Sequence, residues 1–151
     1  MKKVGKSSKK GFTLVELIVV LVILAVLAAM LVPALVGYID RAKKEKEYQA
    51  ASTVYAAAQA LATETYGKGG ELGTASAKST FNLKEVKALT GVDVAEIYYT
   101  PKGDTENIDK FTINQICIKF KSTDTVYYAY TAGGEWSTVT TPTGTKMLAG
   151  T

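Results

Sequence analysis

Hydrophobic and polar positions divide this chain into three unlike stretches. From Leu17 to Ile39, 23 consecutive residues carry no charge, and Leu, Ile, Val and Ala fall on every face of a helix. As a helix this run is roughly 35 Å long, enough to cross a bilayer. A helical pattern then continues from Asp40 to Gly67 without internal Gly or Pro. Tyr48, Ala51, Tyr55, Ala58 and Ala62 recur there every three or four residues, with Val54 and Leu61 beside them, predicting a stripe that packs on a sheet. Beyond Gly67 the period changes.

"GKGGELGTASAKST" (67–80) is loop by composition. It misses the G-x-G-x-x-G phosphate-binding spacing and follows a helix rather than opening one. Residues 82–90 predict a short helix, with Asn82 and Glu85 as an N-x-x-E capping box and Gly91 as its stop. Alternation at period two then predicts strands over 95–100, 111–121, 125–131 and 135–140. Ile116, Ile118 and Phe120 share a face, but Phe111 and Ile113 are out of phase with them, implying a bulge or break near Asn114–Gln115. Short links between these strands predict an antiparallel meander, followed by a flexible Thr-rich tail. The expected fold is α+β, with a long N-terminal helix packed on a small antiparallel sheet.

Charge changes the picture at the N-terminus. Of 151 residues, 18 are basic and 14 acidic, a net of +4. Five of the lysines (Lys2, Lys3, Lys6, Lys9, Lys10) lie in the first eleven residues; without them 13 bases face 14 acids. The basic character is local, and no nucleic-acid surface is implied. The lysine bias places the N-terminus on the cytoplasmic side of a membrane and the C-terminal body outside. A removable secretory signal fits less well, because the apolar run exceeds an h-region of about 7–15 residues. No histidine and one cysteine, Cys117, leave no intrachain disulfide and remove the commonest general base and metal ligand. Asp104, Glu106 and Asp109 form an acidic loop whose spacing is not that of an EF-hand; a solvated loop explains it, and calcium is the weak alternative. No cofactor is expected.

One acid, Glu16, stands at the head of the apolar run. An unpaired carboxylate deep in lipid costs at least ~2.5 kcal/mol. The helix macrodipole offsets only about 0.3–1 kcal/mol of such a cost. A cationic partner in the same medium would offset more.

In order, a Lys-rich leader, Gly11, Phe12, "TLVE" ending in Glu16, and an apolar tract reaching Pro33 resemble the N-terminal signature of type IV pilins and pseudopilins. The likeness covers residues 6–48; beyond it only the layout is similar. It implies that a prepilin peptidase cuts between Gly11 and Phe12 and methylates the new amino group of Phe12. Glu16 would then pair with that amino group on a neighbouring subunit, fixing axial register. Taken alone, Lys9-Lys10-Gly11 would favour a flexible joint before the helix; Phe12 and Glu16 turn the reading to cleavage. Pro33 and Gly37 weaken the helix, so a bend is expected there. The implied domains are a leader, 1–11; a helix, 12–66, with its membrane part at about 14–39; and a head, 67–151. The implied partners are the peptidase, further copies in a helical homopolymer, an assembly platform protein with its ATPase, and the membrane. The expected location is the cytoplasmic membrane first and a cell-surface pilus later. A major pseudopilin of a secretion or competence system fits the same signature. A membrane-tethered enzyme or sensor is the competitor from another class, and no catalytic triad, metal cluster or nucleotide loop supports it.

Overall fold

The computed structural model describes residues 11–73, 80–103 and 108–150. Helix α1 runs from Leu14 to Gly67, and the chain divides into two units, residues 1–43 and 44–151.

In the first unit, the large apolar side chains from Leu14 to Ile39 are each between 45 and 74% exposed. No side chain among the described residues of the unit covers them, as expected of a segment whose solvent is lipid. By length and composition this is the one helix among the described residues able to cross a membrane. Its assignment is unbroken through Pro33. Because proline has no N–H, the carbonyl of Ala29 lacks its usual helical partner there.

The second unit holds the rest of α1, helix α2 (Leu83–Thr90), a 3-10 turn (Ile108–Phe111) and five strands: β1 (Glu96–Pro101), β2 (Ile113–Lys119), β3 (Tyr127–Thr131), β4 (Ser137–Val139) and β5 (Thr145–Lys146). The strands form one antiparallel sheet in the order β4-β3-β2-β1-β5. The first four are the meander that the short links predicted. Residues 141–150, read from composition as a tail, instead carry β5 and a buried Met147. A two-residue strand leaves no periodic signal, and the threonines around it are polar because they face water. The borders of the sheet are therefore its shortest strands, of three and two residues.

Ala51, Val54, Ala58, Leu61 and Ala62 of α1 are buried against the inner face of the sheet, which presents Ile97, Tyr99, Ile116, Ile118 and Tyr128. Alanine at three of these helical positions lets the helix approach the sheet closely. Tyrosine pairs fill the flanks: Tyr48 meets Tyr128 edge-on at 5.7 Å and 82°, and Tyr55 meets Tyr130 tilted at 5.0 Å and 57°. In the β1–β2 ladder Thr100 pairs with Gln115 but Pro101 pairs with Ile113, so Asn114 is an extra residue. That bulge resets the alternation and turns Ile113 inward alongside Ile116, both with no exposed surface. Helix α2 begins at Asn82, whose side chain accepts the Glu85 N–H at 3.0 Å, and ends at Gly91 in the left-handed region, φ 66°.

Candidate functional site

Residues 11–13, which precede α1, lie outside any helix or strand and are exposed. Phe12 is 84% exposed, and nothing lies within 4 Å of a Cβ placed on Gly11. The peptide bond between them stands outside the helix, between two exposed residues. The lysines of the leader lie outside the described residues.

Thr13 is the last residue before the helix and does two jobs. Its N–H donates to Glu16 Oε2 at 2.7 Å, and its hydroxyl donates to the same oxygen at 2.8 Å. The Glu16 N–H in turn approaches Thr13 Oγ1 at 3.3 Å. This is a reciprocal capping box, which satisfies N–H groups that a helix start otherwise leaves orphaned. The signal was in the sequence as T-x-x-E at 13–16. Reading Glu16 only as an acid in an apolar tract passes over it. Both bonds fall on one carboxylate oxygen, and Oε1 has no partner among the described residues. The capping box holds the acid at the helix end and leaves its Oε1 available to a cation.

Pro33 and Gly37 lie one turn apart within α1, and a Cβ on Gly37 would meet nothing within 4 Å. They mark the place where the helix of this unit is most easily deformed.

Among its described residues the head holds no comparable site. Asp104 and Glu106 lie outside the described residues. Asp109 sits in the 3-10 turn with Lys102 Nζ at 3.6 Å. No group of three metal-ligating side chains occurs among the described residues. Cys117 is buried on the outer face of the sheet, with its Sγ 3.8 Å from Thr143 Oγ1. Polar order in the head is structural. Glu96 accepts from Lys146 at 2.5 Å and from Tyr127 at 2.7 Å. The Lys146 bond, then the Tyr127 bond, holds its carboxyl below the ordinary range. The Tyr127 phenol is pushed up to about 12, first by that bond to Glu96 and then by burial. Burial, reinforced by its hydrogen bond to Glu47, likewise raises Tyr128. Gln59 spans the start of β2: its Nε2 donates to the Phe111 carbonyl at 3.0 Å and its Oε1 accepts the Ile113 N–H at 2.7 Å. None of these partners is adjacent in sequence, so the pattern alone could not pair them.

Neither a search of curated proteins nor one of solved structures finds a match for the chain. Residues 6–32 match the family model described as the prokaryotic N-terminal methylation motif. That window contains Gly11, Phe12, the Thr13–Glu16 capping box and most of the exposed apolar helix. The chain thus carries the N-terminal signal of the type IV pilins and pseudopilins, on an α+β body of pilin-like arrangement.

Proposed function

We propose that the chain is the precursor of a type IV pilus subunit, a structural protein rather than an enzyme. The observation that carries this reading is the coincidence of an accessible Gly11–Phe12 bond, a capped Glu16 and an unbroken apolar helix with no cover of its own. The motif implies processing by a prepilin peptidase. Hydrolysis of the Gly11–Phe12 bond releases the leader with its five lysines and leaves Phe12 with a protonated amine. Methylation of that nitrogen keeps the charge. Removing the cationic leader also removes the segment that resists passage through lipid.

In the polymer, the Phe12 ammonium of one subunit meets the open Oε1 of Glu16 on the next. Two groups that are each costly in an apolar medium become tolerable together. The exposed side chains of residues 14–39 bury one another in the filament core, with local loosening at Pro33 and Gly37. An assembly ATPase acting through a platform protein supplies the work of extraction from the cytoplasmic membrane. The heads form the surface, where adhesion, motility or DNA uptake would be exercised. The test is mass spectrometry of the mature N-terminus, together with electron microscopy of filaments sheared from cells. N-methylated Phe12 in surface filaments is expected. Intact Met1 in a membrane-bound monomer would overturn the reading, whereas processed protein without surface filaments would assign the chain to the pseudopilins.

A further inference from the structure

The last described residues, 143–150, bind three elements that are distant in sequence. Thr143 lies on the outer face of β2, its hydroxyl donating to Gln115 Oε1 at 2.9 Å and resting beside the Cys117 sulfur. At Gly144, φ is +99° and a Cβ would come within 2.4 Å of the Tyr99 carbonyl oxygen, so only glycine lets the chain pass this close to β1. Thr145 and Lys146 then pair with Tyr99 and Tyr98, and the Met147 N–H donates to the Ile97 carbonyl at 2.8 Å. Finally, the carbonyls of Leu148 and Ala149 accept the Leu83 and Lys84 N–H groups, at 2.8 and 3.1 Å. Those are the first two amides of α2, the donors a helix leaves unpaired.

The segment thus closes the β1 edge and the α2 N-terminus at once, yet its own hold on the core is slight. Met147 is its single buried side chain; the others from Thr143 to Gly150 are exposed. Its strand is two residues long, against seven in β2, and no disulfide ties it down. Few buried contacts and exposed hydrogen bonds are the physical marks of a unit that opens before the whole domain does.

We propose that residues 143–150 form a non-covalent clasp that opens as one unit while the remainder of the head stays folded. Opening lifts Thr143 from the face of β2 and removes one of the groups over Cys117, which is 1% exposed when the clasp is shut and also packs with Tyr98, Tyr127, Ala129 and Val139. Cys117 is the one cysteine of the entire sequence, so a thiol reagent reports the loss of this cover at a single position. The experiment is labelling of the full-length chain in detergent micelles with 5,5′-dithiobis(2-nitrobenzoate) across sub-denaturing urea concentrations. The expected labelling rate rises with urea far less steeply than global unfolding does, because opening the clasp exposes little surface. Met147→Ala should accelerate labelling without urea at least about tenfold. Val54→Ala, a core change in α1 outside the clasp, should leave it within about twofold. A wild-type rate carrying the full urea dependence of global unfolding would overturn the proposal. So would immediate labelling of the native chain, or equal acceleration by the two variants. Should Met147→Ala fail to fold, the wild-type urea dependence decides alone.

Discussion

Gln59 is the side chain whose removal tests the packing of helix on sheet most directly. In Gln59→Ala the Ile113 N–H loses its acceptor at 2.7 Å and the Phe111 carbonyl loses its donor at 3.0 Å. Ile113 has no exposed surface, so water reaches its amide only if the start of β2 lifts away from α1. An unsatisfied buried donor costs about 1–3 kcal/mol, and the second bond contributes about 0.5–1.5 kcal/mol net. The sum is roughly 1.5–4.5 kcal/mol, which for a domain of this size, at about 4 °C per kcal/mol, lowers the melting temperature by about 6–18 °C. Gln59→Leu retains the bulk and loses both bonds, so it should cost about as much; this separates hydrogen bonding from cavity formation. Gln59→Glu keeps an acceptor for Ile113 but sets a carboxylate against the Phe111 carbonyl, and should fall between wild type and Gln59→Ala. The assay is thermal and urea unfolding of the full chain in micelles, followed by Trp136 fluorescence. Trp136 is the single tryptophan and stacks on Tyr130 at 5.1 Å, so it reports the head and not the membrane helix. Losses below about 0.5 kcal/mol in both Gln59→Ala and Gln59→Leu would show that the two bonds contribute nothing that water cannot replace.

Two further predictions separate charge from structure. Glu16→Gln preserves a capping box, since Gln serves that position as well as Glu. It should insert normally yet lower the ratio of sheared filaments to membrane-bound subunit, read by immunoblot, by about a hundredfold or more, because one ammonium per interface is left unpaired. Thr13→Ala keeps the charge and loses only the cap, so its yield should drop about tenfold at most; normal yield from Glu16→Gln would reduce Glu16 to a capping residue. In the head, the Glu96 carboxyl lies below its ordinary value of 4.5. Its contribution is therefore fully present above that pH and lost as pH falls through the lower, folded value. Wild-type stability should decline more steeply below about pH 4.5 than that of Glu96→Gln, and parallel urea midpoints for the two proteins between pH 6 and 3 would refute this.

The membrane helix, the packing stripe, the α2 caps and the meander were legible in the sequence because each is a local pattern. The bulge was legible for a less obvious reason: Ile113 and Ile116 could not share a face unless the alternation slipped between them, and Asn114 is where it does. What escaped was non-local or too short. Glu96, Tyr127 and Lys146 meet only because β1, β3 and β5 fold onto one face, a register that no residue announces. Strand β5 is two polar residues with Met147 after them, indistinguishable from a tail until β1 is in place beside it. At the candidate site the opposite failure occurred. The T-x-x-E at 13–16 was fully visible, but the anomaly of an acid in an apolar run drew the reading toward pairing between subunits and away from the threonine three residues earlier.

The stubby borders of the sheet have a consequence for the filament proposed above. In the proposed polymer, heads arrayed on a fibre would stand at local concentrations where any long unpaired strand would zip to the next copy and mat the surface together. With three residues offered on one side and two on the other, there is no template long enough for that reaction to begin. Neighbouring heads can be pressed together without fusing, and contact between them is left to side chains, which are free to vary without endangering solubility.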